Sequence, residues 1–380
     1  MAFLYELAVL GSPTANQLSE LKQKISETIE AFNMRIGTEV KWVVFPDTLI
    51  PQQQKVSAAV FFGAKNAPQG NLEDLLNKGI PILPVVSDVS KTNEEIPAAL
   101  LRFNCLAYTD GGIQRIATAL LECVGLLPKQ RRVFLSYRRS EAAQVALQLF
   151  DAFSAKHFDV FLDTHGIAPA EDFQATLWHR LCDSDVLVML DTATYFDSRW
   201  TNAEFGRALA KGIAILRIGW SNSAQSRRTQ TVSSCELISH DIDSLTGRLT
   251  EQAISKICLQ LEGVRSLSHA VRNLNLISNL RNAIEQIGGT FIGIGLNKSV
   301  NIKLANGRDI TIYPTLGVPT STTLHNATRT PSNNKIAVLY DHIGMHTEWL
   351  NHLEWLGSHV KTADYVKANE AAWRFADWEN

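Results

Sequence analysis

The sequence lacks the features that mark several large classes of protein. Lys and Arg number 36 against 38 acidic residues, which gives a formal net charge of −2 at pH 7. Without a basic excess, the composition indicates neither nucleic acid nor an anionic membrane as an obligatory partner. The five cysteines have no CxxC or Cys/His spacing. We therefore expect reduced thiols in the core, at Cys105, Cys123, Cys182, Cys235 and Cys258.

Long hydrophobic runs are also missing. Residues 1–6 do not combine a basic segment with a long apolar stretch, and no run approaches the roughly 18 apolar residues that cross a bilayer. We expect a cytoplasmic protein without a membrane partner. The chain has 380 residues, 45% of them hydrophobic and 19% charged. This length and composition predict two or three globular domains.

Residues 1–128 alternate short apolar runs with segments of helical periodicity, and the same rhythm restarts at Val133. This pattern predicts two doubly wound, flavodoxin-like modules with parallel sheets. An internal match supports their relation: residues 76–83 (LNKGIPIL) correspond to residues 209–216 (LAKGIAIL), each a helix end, a glycine and a strand. Loops between helices and strands often share this pattern, but the order of elements also agrees. The match aligns Glu204 with Asn71.

The remaining residues, 247–380, predict a helical connector and a small α+β domain. Helices are expected at 249–261 and 264–287, with an apolar packing stripe from Leu267 to Leu280. Asn306-Gly307 favours a type I′ hairpin. A strand is expected at 336–340, and the predicted helices after it are 346–356 and 363–377. The four tryptophans of this tail are interpreted as core residues: Trp349, Trp355, Trp373 and Trp378.

Several other patterns in the tail do not support a specific site. The glycine-rich segment 288–295 has neither Walker spacing nor a strand–GxGxxG–helix context. His342 and His346 are four residues apart, but Ile343 stands where an HExxH zinc site needs glutamate. We therefore predict no metal site. The hydroxyl-rich segment 313–323 is equally consistent with a phosphate site and with ordinary loop chemistry.

Three motifs of the second module fall at the carboxyl ends of predicted strands or at the start of the next helix. They are residues 132–139 (RVFLSYRR), 161–163 (FLD) and 198–204 (SRWTNAE). Open α/β sheets collect their ligand-binding groups at this edge. We therefore expect one cleft to hold all three motifs.

In this order and spacing the motifs resemble those of the Toll/interleukin-1 receptor (TIR) domain, over about residues 131–220. TIR domains include protein-binding adaptors and enzymes that break the nicotinamide–ribose bond of NAD⁺. The chain is similar to the NAD-cleaving TIR proteins of prokaryotic antiviral defence. The resemblance implies that Glu204 is the catalytic residue. It also implies a set of substrate-binding residues, namely Tyr137, Arg138, Arg139, Phe161, Asp163 and Trp200.

The chemistry is consistent with these residue types. Nicotinamide leaves as a neutral pyridine, so the step needs no strong acid, but positive charge develops on the ribose. A fixed carboxylate such as Glu204 would stabilise that charge. Arg138 and Arg139 would pair with pyrophosphate oxygens, and Phe161 or Trp200 would stack on a flat ring.

Each residue also has a structural interpretation. Thr201 to Glu204 fit a helix capping box. Arg138 and Arg139 could be a solvated loop pair, and Phe161 and Trp200 could be core. Asp163 either shapes its loop or binds ribose.

The sequence therefore predicts three parts: a degenerate TIR-like regulatory module at 1–128, a catalytic TIR domain at 131–245, and an accessory domain at 247–380 that senses a trigger or binds a partner. The predicted function is NAD⁺ glycohydrolase, with NAD⁺ as substrate and no cofactor, in an antiviral effector. Its activation would require homo-oligomerisation through TIR–TIR contacts, driven by an activating protein or small molecule. The alternatives are a cyclase that makes a cyclic ADP-ribose signal and a non-enzymatic scaffold.

Overall fold

A computed structural model describes residues 3–45, 56–109, 111–162, 173–220, 225–329, 334–360 and 362–378. The chain forms two compact units, Met1–Lys129 and Gln130–Asn380. The described part of the first unit contains one five-stranded sheet, and that of the second contains two.

The first unit has a fully parallel sheet of order β2-β1-β3-β4-β5. Its strands are β1 (Tyr5–Gly11), β2 (Val40–Val44), β3 (Val56–Phe62), β4 (Ile82–Val86) and β5 (Leu106–Ala107). Its helices are α1 (Ala15–Glu30), α2 (Leu72–Asn77), α3 (Thr92–Glu95) and α4 (Gly112–Cys123). This order confirms the predicted doubly wound, flavodoxin-like module.

Gly11 ends β1 in a position that no other residue fits. Its φ is +79°, and a Cβ built on it would lie 2.1 Å from the carbonyl oxygen of Phe62. We expect Gly11→Ala to lower the free energy of unfolding of the first unit by about 3 kcal/mol or more, because the clash adds to the backbone strain. Gly37 is the matched control, with φ +94° and open space around its Cα. Gly37→Ala should cost about 1 kcal/mol. Equal urea midpoints for the two variants would contradict this explanation.

The second sheet repeats the order of the first and is also parallel, β7-β6-β8-β9-β10. Its strands are β6 (Arg132–Ser136), β7 (Asp159–Leu162), β8 (Val186–Asp191), β9 (Ala214–Trp220) and β10 (Ser233–Leu237). Its helices are α5 (Arg139–Ala155), α6 (Phe173–Cys182), α7 (Arg199–Ala210) and α8 (Glu251–Gln286). The sequence did not predict β10, because this edge strand buries only Cys235 and Leu237.

The glycine match between the two modules is structural. Gly79 and Gly212 have φ values of +70° and +64°, and each follows a helix with the same pair of backbone hydrogen bonds. Asn71, however, is the N-cap of α2, whereas Glu204 lies inside α7. The aligned positions therefore differ in helix geometry as well as in chemistry.

The third sheet is mixed, with order β11-β12-β13-β14-β15. Its first three strands are antiparallel and its last three parallel. The strands are β11 (Thr290–Ile294), β12 (Val300–Lys303), β13 (Asp309–Thr315), β14 (Lys335–Tyr340) and β15 (Ala363–Lys367). The helices are α9 (Ser321–Thr328), α10 (Thr347–His359) and α11 (Ala371–Asp377). The predicted α+β architecture is confirmed.

Three predictions for this tail were wrong in detail. The expected helix 363–377 is a strand followed by a short helix. The β12–β13 hairpin is not of type I′, because Gly307 has a positive φ but Asn306 does not. Trp355 and Trp373 are 57% and 52% exposed, so they are not core residues.

Helix α8 is continuous and joins two cores. Its first half packs on the second sheet and its last turns pack on the third. The predicted apolar stripe was wrong in its first half, since Leu267 and Val271 are exposed. The middle of the buried face is polar instead and includes Arg265, His269 and Arg272. These side chains meet polar groups at the amino end of β8, which is why apolar periodicity failed there.

Loops and helix α10 around the third sheet contact the second module at the ends of α6 and α7. The Nδ1 of His179 accepts a hydrogen bond from the backbone N–H of His346 at 3.1 Å, and its ring lies 5.8 Å from that of Trp349. Lys211, after α7, donates to Asp341 at 2.7 Å. Asp183 accepts from the N–H of Val318 at 2.7 Å. The amino edge of the second sheet is therefore joined to the tail.

This contact should weaken in acid. Burial, followed by the charge of Arg180, lowers the pKa of His179 from 6.5 to about 4. Between those pH values the unfolded chain binds a proton that the folded chain does not, so the free energy of unfolding falls as pH falls. Because the ring is partly solvated, we expect His179 to account for only about 1 kcal/mol of this loss. Urea titrations at the two pH values should show a smaller loss for His179→Asn than for wild type. Equal losses would contradict the assignment.

Candidate active site

Helix α7 begins early enough to place Glu204 inside it. The Ser198 hydroxyl caps the helix by accepting from the N–H of Trp200 at 3.3 Å. The Thr201 hydroxyl donates to the backbone carbonyls of Tyr195 and Ser198. The capping-box interpretation of Thr201 and Glu204 was therefore wrong. Glu204 lies in the second turn and is only 5% exposed, so its carboxylate faces the sheet.

Two buried hydroxyls connect Glu204 to the carboxyl edge of the second sheet. Ser136, the last residue of β6, lies with its Oγ 2.5 Å from the Glu204 Oε2. The same Oγ is 2.6 Å from the hydroxyl of Tyr195, which lies in the turn before α7. Ser136 is 1% exposed and Tyr195 is 0% exposed. The three side chains thus form one buried polar chain.

The direction of these two hydrogen bonds follows from which hydroxyl protons are available to donate. Burial, reinforced by the nearby Glu204 carboxylate, raises the pKa of Tyr195 well above 10, so its hydroxyl stays protonated. The Ser136 hydroxyl donates its single proton to the Glu204 Oε2. Ser136 therefore accepts from Tyr195.

The turn before α7 is also tied to the start of α5. Arg138 donates to the carbonyl oxygen of Thr194 at 2.7 Å and lies 3.7 Å from the carboxylate of Asp197. The Thr194 hydroxyl donates to Glu141. Arg139, the first residue of α5, is exposed. Arg138 is therefore placed beside the turn that leads to Glu204, with its charge partly balanced by an exposed aspartate.

The predicted aromatic residues fall on different faces of the sheet. Phe161 is 9% exposed, lies 5.1 Å from the ring of Phe134 and belongs to the core cluster that includes Phe205. Tyr137 is buried in the cluster on the opposite face. Trp200 is half-buried, with Arg199 4.6 Å from its ring. The structure therefore brings Phe161 and Trp200, but not the Tyr137 ring, to the α7 side. Asp163 and its loop lie outside the described residues.

A buried arginine and two carboxylates form a second charged group, on strands β8, β9 and β10 of the same sheet. Arg217 of β9 is 0% exposed and donates to Asp191, the last residue of β8. It also donates to Glu236 of β10. Burial raises the pKa of Asp191, and the hydrogen bond from Arg217 only partly opposes this effect. The edge next to Glu204 therefore carries further buried charge that sequence patterns did not reveal.

Two other site types have no support in the described ranges. Among these residues, no three His, Cys, Asp or Glu side chains are grouped closely enough to hold a metal ion. No described helix combines the length and apolar character needed to cross a membrane.

Comparisons across whole chains are weak. No protein with a curated description matches significantly. Similar solved structures include tagatose-6-phosphate ketose/aldose isomerase from Escherichia coli, at 13% identity and a TM-score of 0.19, covering 72% of this chain and 83% of that one. Another is a LacI family transcriptional regulator from Silicibacter pomeroyi, at 13% identity and a TM-score of 0.18, covering 72% and 93%. These scores support no argument about fold or function.

The comparison with protein families is specific. Residues 133–245 match the family model described as TIR domain. This segment contains nearly all of β6 and the whole of β7 to β10, together with the Ser136–Tyr195–Glu204 chain. It agrees with the resemblance of the three sequence motifs and with the flavodoxin-like order of the strands. Residues 133–245 of this chain are therefore a TIR domain.

Proposed function

We propose that the TIR domain cleaves the nicotinamide–ribose bond of NAD⁺, with Glu204 as the catalytic residue. The observation that carries this proposal is a buried carboxylate, hydrogen-bonded to Ser136 at the carboxyl edge of a parallel sheet. Ligands bind at this edge in open α/β folds. A preorganised charge in a water-poor site stabilises a developing positive charge far better than a solvated carboxylate does.

The neighbouring side chains fit the other parts of NAD⁺. Trp200 is half-buried one helical turn before Glu204, where its indole would stack on the nicotinamide ring or the adenine. Arg138 and Arg139 open α5 beside the site and would contact the pyrophosphate. Phe161 would support the pocket from the core. In this proposal NAD⁺ is the substrate, and the protein uses neither cofactor nor metal.

We further propose that the activity is triggered. Unrestrained loss of NAD⁺ from the cytoplasm would kill the host cell, so an antiviral effector of this kind must be silent at rest. Residues 1–129 and the tail are the natural regulators, each a candidate to bind an activating protein or a small molecule. TIR–TIR association between copies would then complete the site.

The test is the rate of NAD⁺ loss per molecule across a series of protein concentrations, with assembly followed by light scattering. We expect the specific rate to rise with assembly and the products to be nicotinamide and ADP-ribose, separated by chromatography. Cyclic ADP-ribose in their place would establish a cyclase. A fully assembled protein that leaves NAD⁺ intact would favour a scaffold, and a full rate in diluted monomers would contradict the triggered mechanism.

A further inference from the structure

Glu204 does not reach its position through α7 alone. Its Oε2 is held by Ser136, which belongs to a strand 68 residues earlier in the chain. Ser136 is held in turn by Tyr195, 59 residues from it. Neither hydroxyl lies among the residues that the family motifs marked as substrate-binding.

We propose that Ser136 and Tyr195 are positioning residues, which hold the Glu204 carboxylate charged and in one rotamer for the reaction. Ser136 contacts Glu204 and Tyr195 contacts Ser136, and both act on the substrate only through Glu204.

The physical argument rests on burial. A carboxylate that is 5% exposed has lost most of its hydration, and its charged form then depends on the donors around it. Ser136 supplies one donor, and the Tyr195 hydroxyl polarises it by donating to the same oxygen. Removing the Tyr195 hydroxyl leaves Ser136 free to rotate away from Glu204.

The same contacts also anchor the start of α7 to β6, so a purely structural role must be separated from a positioning role. Tyr195→Phe removes only the hydroxyl and keeps the ring, which packs edge-on against Phe196 at 5.1 Å. Tyr340 is the matched control, since it is a second buried tyrosine, 1% exposed, in the third sheet. Tyr340→Phe removes a buried hydroxyl without touching Glu204.

The kinetic readout rests on the proposed function. In assembled, full-length protein, Tyr195→Phe and Ser136→Ala should each lower kcat for NAD⁺ cleavage by about 10- to 100-fold, because each weakens a hydrogen bond to a charged group. KM should stay within about twofold, because substrate contacts are unchanged. The acid limb of the pH–rate profile should move to higher pH. Wild-type kcat and an unmoved limb in Tyr195→Phe would overturn the proposal.

A second readout does not depend on activity. In protein labelled with ¹³C at glutamate side chains, the Glu204 carboxyl signal is assigned by its loss in Glu204→Gln. Its titration midpoint should lie about one pH unit higher in Tyr195→Phe than in wild type or Tyr340→Phe. If wild type does not cleave NAD⁺, the proposed function fails, and this midpoint alone decides the role of Tyr195. An unchanged midpoint would then overturn the positioning role.

Discussion

Glu204→Gln should lower the rate of nicotinamide release from NAD⁺ by about 1000-fold or more. Glutamine keeps the size of the side chain but removes the negative charge that would face the developing ribose cation. The amide Oε1 can still accept from Ser136, so the packing of α7 on the sheet should be preserved. The measurement is the initial rate of nicotinamide release by assembled protein at saturating NAD⁺.

Glu285→Gln is the matched control, because Glu285 is an exposed glutamate of α8 in the same unit. Its rate should equal that of wild type. NAD⁺ binding by Glu204→Gln, measured by calorimetry, should remain within a few-fold of wild type if Glu204 acts mainly in the transition state. A variant that cleaves NAD⁺ within tenfold of wild type would exclude Glu204 as the catalytic group.

Asp185→Ala should have the largest effect on stability, about 3 to 5 kcal/mol lost from the free energy of unfolding. Asp185 is 5% exposed and accepts from the Nε of Arg265 at 2.9 Å. It also accepts from the backbone N–H of Arg132 at 3.1 Å and lies 2.9 Å from His269. Without the carboxylate, Arg265 keeps a buried charge with fewer partners.

Asp185, Arg265 and His269 form the Asp185 network, and the stability that this network contributes falls as pH falls. Burial alone would raise the pKa of Asp185, but His269 and Arg265 outweigh it and hold that pKa below its usual range. The unfolded chain therefore takes up this proton first as pH falls, and the stabilisation present at neutral pH is lost in acid.

The control for Asp185 is an exposed ion pair. Glu354 is 64% exposed and lies 3.3 Å from Lys367, so Glu354→Gln should change the free energy of unfolding by less than about 1 kcal/mol. Urea denaturation of the two variants measures the difference. Similar midpoints would show that the Asp185 network does not hold α8 to the second sheet.

The parallel sheets could be predicted from sequence because their central strands β1, β3, β6, β8 and β9 are buried on both faces and stand out as apolar runs. The buried face of helix α8 could not, since its middle buries Arg265, His269 and Arg272 against polar strand ends. Residues 363–377 were also misread, because β15 and α11 are each too short to establish a period. Prediction from apolar periodicity therefore fails where the buried surface is polar, and also where a helix or strand is too short to show a period.

The sequence likewise predicted only part of the candidate site. Glu204, Trp200 and the arginine pair were found through their motifs, which are continuous in sequence. Tyr195 was not, because its role depends on a contact with Ser136 across the sheet. The one available signal was Ser136, a serine that directly follows the apolar residues 133–135 of β6, and a serine in this position does not reveal which residue it contacts.

The most direct test of the NAD⁺-cleaving TIR site is product stoichiometry. Wild-type protein, assembled as judged by light scattering, is incubated with NAD⁺, and nicotinamide, ADP-ribose species and remaining NAD⁺ are quantified. We predict one nicotinamide released for each NAD⁺ lost, over many turnovers per protomer. Complete recovery of NAD⁺ from assembled protein would contradict the proposed activity.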